Sequence, residues 1–215
     1  MLTTGDYDRR HALAYAQKWA LSRNPIFMDF KGLGGDCTNF ISQCVFAGSC
    51  QMNYTPTFGW YYSSASNRAP AWTGVVFFYN FITANKGAGP FAVESKDSDM
   101  EIGDVIQLGR RDGSFYHTLL VTAVRRRSLI VSTHTDDALN RPLDTYIYQR
   151  IRYLHILGVR RDNKDSSYFK KLICGKSLPA YDDFLTETMA EPDPEPEVEP
   201  SDEISEAERL GFDID

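Results

Sequence analysis

Apolar positions recur with two different periods along this chain, and the change of period divides it. From Tyr7 to about Ser22, Ala12, Tyr15, Ala16 and Trp19 form a stripe at helical spacing, with Asp6 placed as cap and Asn24-Pro25 as stop. A second helical face starts at Cys37: Phe40, Ile41, Cys44 and Val45 follow it by three, four, seven and eight residues, with Asp36 as cap and Gly48 as stop. Residues 49–70 read as an aromatic loop, and Trp72, Val75, Val76 and Tyr79 mark a further helical stretch over 72–82. After Gly87-Ala88-Gly89-Pro90 the period becomes two, which predicts strands over 105–108, 116–124, 129 to about 134, and 151–159. Helices followed by hairpin-linked strands indicate an α+β domain over 1–161. A mixed extension (162–181) and a Pro/Glu-rich tail (182–215) follow it.

Charge sharpens that division. From Asp182 onward there are 14 acidic residues and one Arg, against 15 acids and 22 Lys or Arg before it, so a body near +7 carries a tail near −13. Alternating Glu, Asp and Pro over 191–200 cannot build a core, and the tail is expected to be extended. The basic excess of the body is spread thinly and comes with no nucleic-acid motif, which argues against a nucleic-acid partner. No apolar run is long enough to span a membrane. The first ten residues lack the apolar core of a signal peptide, the pattern of a cytoplasmic chain unless a leader has been removed. The cysteines at 37, 44, 50 and 174 have neither CxxC nor zinc-finger spacing and read as reduced thiols, with a Cys50–Cys174 disulfide left open.

The stretch Gly34-Gly35-Asp36-Cys37-Thr38-Asn39-Phe40-Ile41-Ser42-Gln43-Cys44 places a thiol on the first turn of a helix. Unpaired backbone N–H groups and the positive end of the helix dipole both favour thiolate there, the form that attacks carbonyls. The plain alternative is a buried structural cysteine. A partner histidine decides between them. If 116–124 and 129–134 form a hairpin, a two-residue loop puts His117 opposite His134 and a four-residue loop puts it opposite Asp136. Either register sets a polar group beside His117 on one face, the base-plus-orienter half of a cysteine triad; a three-residue loop would not. The connector Arg125-Arg126-Arg127-Ser128 lacks the Gly, Asn or Asp of two-residue loops and by itself favours Asp136. A metal site from His117, His134 and Asp136 ranks lower, because the spacing matches no short metal motif. His11 and His155 read as structural. Trp60, Tyr61 and Trp72 are core by default and otherwise candidates for a substrate groove.

These residues resemble a known family. The Cys37 stretch with Ala47-Gly48, the opening Tyr7-Asp8-Arg9 with Ala14-Tyr15-Ala16 and Asn24-Pro25, Trp60-Tyr61 and Trp72-Thr73 are all similar to the putative amidase domain family of bacteria. Gly103-Asp104-Val105-Ile106, Tyr116-His117-Thr118 and the stretch from Ser132 to Leu143 extend the likeness, also toward NlpC-type peptidoglycan peptidases and CHAP amidases. The resemblance covers about residues 6–160. It implies a papain-like fold and cofactor-free hydrolysis of amide bonds in a peptide or peptidoglycan-like substrate. Cys37 is then the nucleophile, His117 the base and His134 the third residue, with Asp136 the alternative. Two other classes remain open: a catalytically silent glycan- or peptide-binding module, and a cysteine acyltransferase.

Overall fold

The computed structural model describes residues 1–126, 128–161 and 172. The expectations for 162–181 and for the tail therefore lie outside the described residues, Leu172 apart. In chain order the elements are β1 (Thr3–Gly5), α1 (Arg9–Trp19), α2 (Cys37–Ser49), α3 (Pro70–Thr73), α4 (Val75–Ala84), β2 (Gly89–Ser95), β3 (Val105–Gly109), β4 (Phe115–Val124), β5 (Leu129–Thr133), β6 (Ala138–Pro142) and β7 (Arg150–Arg161). The α+β class holds; β1, β2 and β6 lie where no strand was expected.

Both helix starts differ from the sequence reading. α1 is capped by Asp8, whose Oδ1 accepts from His11 N at 2.9 Å, and not by Asp6. Asp36 precedes α2 but makes no side-chain cap, because its carboxylate turns to other partners. Gly48 does not stop α2, which runs on to a left-handed Cys50 (φ 49°). Gly48 is instead a close-approach residue: a Cβ there would fall 2.3 Å from the Tyr7 ring and 2.7 Å from the Asp8 carbonyl. All 13 residues of α2 are buried, so it is the central helix.

The strands form an open antiparallel sheet in the order β1-β7-β3-β4-β5-β6, with β2 also paired to β7. One face looks at the helices: Thr118 Oγ1 meets Thr38 Oγ1 of α2 at 2.9 Å, and Gln107 Nε2 donates to the Val75 carbonyl of α4 at 2.9 Å. The other face buries a cluster of Met100, Ile106, Leu108, Leu119, Val121, Leu129, Val131 and Leu143. This alternation is what two-period strands with both faces covered require.

The β4–β5 hairpin has the longer connector that its arginines favour: Val124 pairs with Leu129, and Arg125 N donates to Ser128 O at 3.0 Å. A bulge then intervenes. Ala123 faces Ile130 but Val121 faces Val131, leaving Thr122 as the extra residue. Continuing that register brings Thr118 level with His134. One inserted residue thus moves His134 to the helix-facing side of the sheet, while His117, opposite Leu108, lies on the other side.

The polar residues of α2 are clamps. Thr38 holds Thr118; Asn39 Oδ1 accepts from Trp72 Nε1 at 2.9 Å; Ser42 Oγ accepts from Trp60 Nε1 at 2.9 Å; Gln43 Oε1 accepts from the Tyr15 hydroxyl at 2.7 Å. Each satisfies a buried donor that would otherwise cost roughly 1–3 kcal/mol. A second set ties the N-terminus to the sheet: Tyr7 donates to the Gly103 carbonyl at 3.1 Å, and Arg9 reaches the Ile102 and Ile156 carbonyls and Asp104.

Candidate active site

Gly34 and Gly35 have φ of 102° and 101°, which L side chains rarely adopt, and they deliver the chain into α2 beside the β5–β6 turn. There the Asp36 N–H donates to Thr135 Oγ1 at 2.7 Å. The Asp36 carboxylate is fully buried and accepts from Phe30 N at 2.9 Å, Asn39 Nδ2 at 2.8 Å and His134 Nδ1 at 2.6 Å. His134 Nε2 lies 2.8 Å from the Trp19 carbonyl, which can only accept, so Nε2 carries a proton and one further proton is shared between Nδ1 and Asp36. Phe40 stacks on the His134 ring at 3.9 Å between centroids. Arg23 closes the network, with both Nη atoms on Asp137 (3.0 and 2.9 Å) and Nε 3.5 Å from Asp36.

These bonds correct the expected role of His134. Both its nitrogens are spent and its ring is on the wrong face, so it cannot take the N–H of His117. It braces the segment that precedes the thiol. Asp36, which the sequence places as a helix cap, is instead a buried acid partner, and a carboxylate immediately before a first-turn cysteine is its one mark in the sequence.

Cys37 is buried, its Sγ 3.8 Å from Thr38 Oγ1. Interaction with the Thr118 backbone favours thiolate, as do the hydroxyl and backbone of Thr38. Burial outweighs them, and the Asp36 charge adds to it, so the thiol is pushed up rather than down. The helix start alone therefore does not activate this thiol.

His117 immediately precedes Thr118, whose Oγ1 meets that of Thr38, the neighbour of the thiol, at 2.9 Å. Its ring, however, sits on the far face, 6.2 Å from each of the Tyr116 and Tyr146 rings between centroids. Burial, helped by the charge of Arg141, holds its pKa down to about 4, so the imidazole is neutral at pH 7. Among the described residues no hydrogen bond joins Cys37 to His117 or His117 to His134. The hydrogen-bonded thiol–imidazole pair that the sequence predicts is not preformed here.

Asp136 is exposed, at φ 64° on the β5–β6 turn, and its charge acts on the Tyr146 hydroxyl beside His117. Trp60 and Trp72 are 0% exposed with both indole N–H groups satisfied inside, so they are core and not groove. Tyr61 is half-buried and packs on exposed Tyr54 at 5.2 Å between centroids. Among the described residues no group of three His, Cys, Asp or Glu side chains could hold a metal ion. The set His117, His134 and Asp136 is divided between the two faces. His155 has the structural role expected of it, with Nδ1 2.7 Å from buried Asp104. Cys37 and Cys44 are free thiols, and a Cys50–Cys174 pairing falls on a residue outside the described set. Among the described residues no helix is long and apolar enough to cross a membrane.

Residues 6–157 match the family model described as Putative amidase domain. The chain is also 36% identical over 137 residues to the uncharacterized protein YhbB of Bacillus subtilis (strain 168), covering 61% of this chain and 42% of that one. It is 31% identical over 144 residues to the uncharacterized protein YjcM of the same organism, covering 63% of this chain and 32% of that one. The match thus spans less than half of either relative. No solved structure matches the chain.

Proposed function

This chain belongs to the putative amidase domain family, and on that premise we propose that it is a papain-like, cysteine-dependent hydrolase of amide bonds in peptide or peptidoglycan-like substrates. The observation that most supports this is the contact of Thr38 Oγ1 with Thr118 Oγ1 at 2.9 Å, which sets the first turn of α2, where Cys37 lies, against the strand position that follows a neutral histidine. The proposed reaction requires the start of β4 to rearrange on substrate binding, because the His117 ring lies on the face away from Cys37 in the unliganded protein; once turned to the sulfur, the ring takes the thiol proton. Catalytic hydrogen bonds absent from an unliganded site commonly form only with substrate. Cys37 Sγ attacks the amide carbonyl, and backbone N–H groups of the first turn of α2 meet the oxyanion. The C–N bond breaks, His117 protonates the leaving amine, and water, deprotonated by His117, hydrolyses the thioester to a carboxylic acid. Asp136 is carried forward as the polar third residue, because its charge reaches the side of the sheet where His117 lies.

The raised thiol and the missing thiol–imidazole bond favour a second reading, a silent binding module on the same frame. Incubating the full-length wild type and Cys37→Ala with purified muropeptides and casein-like peptides, followed by mass spectrometry, separates the two. Products with the wild type alone are expected. Intact substrates in both samples, together with measurable binding, would leave the module.

A further inference from the structure

On the far face of β4 lies polar capacity that no contact among the described residues uses. Arg141, in β6, lays its guanidinium 4.0 Å over the Tyr146 ring. Its Nε donates to Thr145 Oγ1 at 2.8 Å and its Nη2 to the Thr145 carbonyl at 2.9 Å, which fixes the plane of an exposed fork whose outer edge is open to solvent. Among the described residues Arg141 makes no ion pair. The Tyr146 hydroxyl is buried, and among the described residues its O–H finds no acceptor. Burial pushes it up to about 12, with Arg141 opposing the rise, so it stays a proton donor at neutral pH. The neutral His117 ring lies 6.2 Å away between centroids.

A fixed guanidinium, an unsatisfied buried phenol and a neutral imidazole form a set of groups short of one acceptor, and its complement is an anion. A carboxylate suits the planar fork of an arginine, and charge-assisted bonds of this kind are the strong ones. The one acidic group that acts on the phenol, Asp136, is exposed on its turn and hydrogen-bonds none of the three. We propose that Arg141 and Tyr146 bind a free carboxylate of the substrate beside His117, so that the protein selects amides carrying such a group. As a statement about substrate this rests on the amide-hydrolase reading; as a statement about binding it does not.

The test is an NMR titration of the His117 ring resonances in the full-length Cys37→Ala protein, with N-acetylglycine against N-acetylglycinamide. The carboxylate should shift His117 saturably and the carboxamide should not. Arg141→Gln should weaken the titration about 10–100-fold, and Arg141→Lys, which keeps the charge but loses the fork, by less. Tyr146→Phe should weaken it several-fold, and Asp136→Asn should tighten it. Equal binding of the two ligands, no shift with either, or a titration unchanged in Arg141→Gln would overturn the proposal. Wild-type hydrolysis is scored separately on peptides with a free and an amidated C-terminus. Carboxylate binding without hydrolysis would sink the catalytic reading and keep the anion site. Hydrolysis indifferent both to the carboxylate and to Arg141→Gln would do the reverse.

Discussion

Asp36 and Asp104 are both fully buried, and each holds a histidine through Nδ1, at 2.6 and 2.7 Å. Their remaining bonds differ. Asp104 takes Arg9 Nη1 at 2.7 Å, Glu101 N at 2.8 Å and Ile156 N at 2.9 Å, so a permanent cation neutralises it. That pair staples the N-terminus to β7 and the start of β3. The side chain of His155 is 22% exposed and adds to a site that is already compensated. Among the described residues no permanent cation hydrogen-bonds Asp36. Arg23 Nε stands 3.5 Å away, and the charge is met by a shared proton on His134, whose side chain is 2% exposed. The same two residue types thus make a staple where an arginine hydrogen-bonds the carboxylate and a proton-sharing brace where the arginine stands off at 3.5 Å.

Substitutions should separate the two sites. Asp104→Ala leaves Arg9 without its buried partner and should cost about 3–5 kcal/mol in urea unfolding. A loss below about 1 kcal/mol would mean that the staple is not stabilising. His134→Ala removes a buried ring and one of the partners of Asp36, and should cost about 2–4 kcal/mol. A smaller loss than that of His155→Ala would reverse the assignment.

His117 supplies the contrast of a buried histidine with no carboxylate. Its folded pKa of about 4 is below the unfolded value near 6.5, so the unfolded chain binds the proton first as pH falls. The neutral ring therefore favours folding fully above pH 6.5, and that contribution drains away between 6.5 and 4. Between pH 7 and pH 5 the wild type should lose about 2 kcal/mol more than His117→Gln. Parallel pH profiles for the two proteins would show that the ring titrates freely. The smallest effect belongs to His155→Ala, at about 1 kcal/mol, because its ring is partly solvated and Arg9 remains on Asp104. A loss matching that of His134→Ala would erase the distinction drawn between the two pairs.

The helices of 9–19 and 37–49, the strands of β3, β4, β5 and β7, and the first-turn place of Cys37 follow from the sequence. Hydrophobic period is a local property, and burial on one face enforces it. The family motifs could be read as strings before their contacts were known: Tyr7-Asp8-Arg9 and Gly103-Asp104 turn out to grip each other, and Thr38, Asn39, Ser42 and Gln43 to clamp four other segments. Tertiary structure alone decided the surroundings of the histidines. The bulge at Thr122 has no marker residue, yet a single extra position exchanges the two faces of a strand and parts His134 from His117. The raised Cys37 thiol was equally out of reach, because the helix start acts within one turn of chain whereas desolvation depends on everything packed around the sulfur.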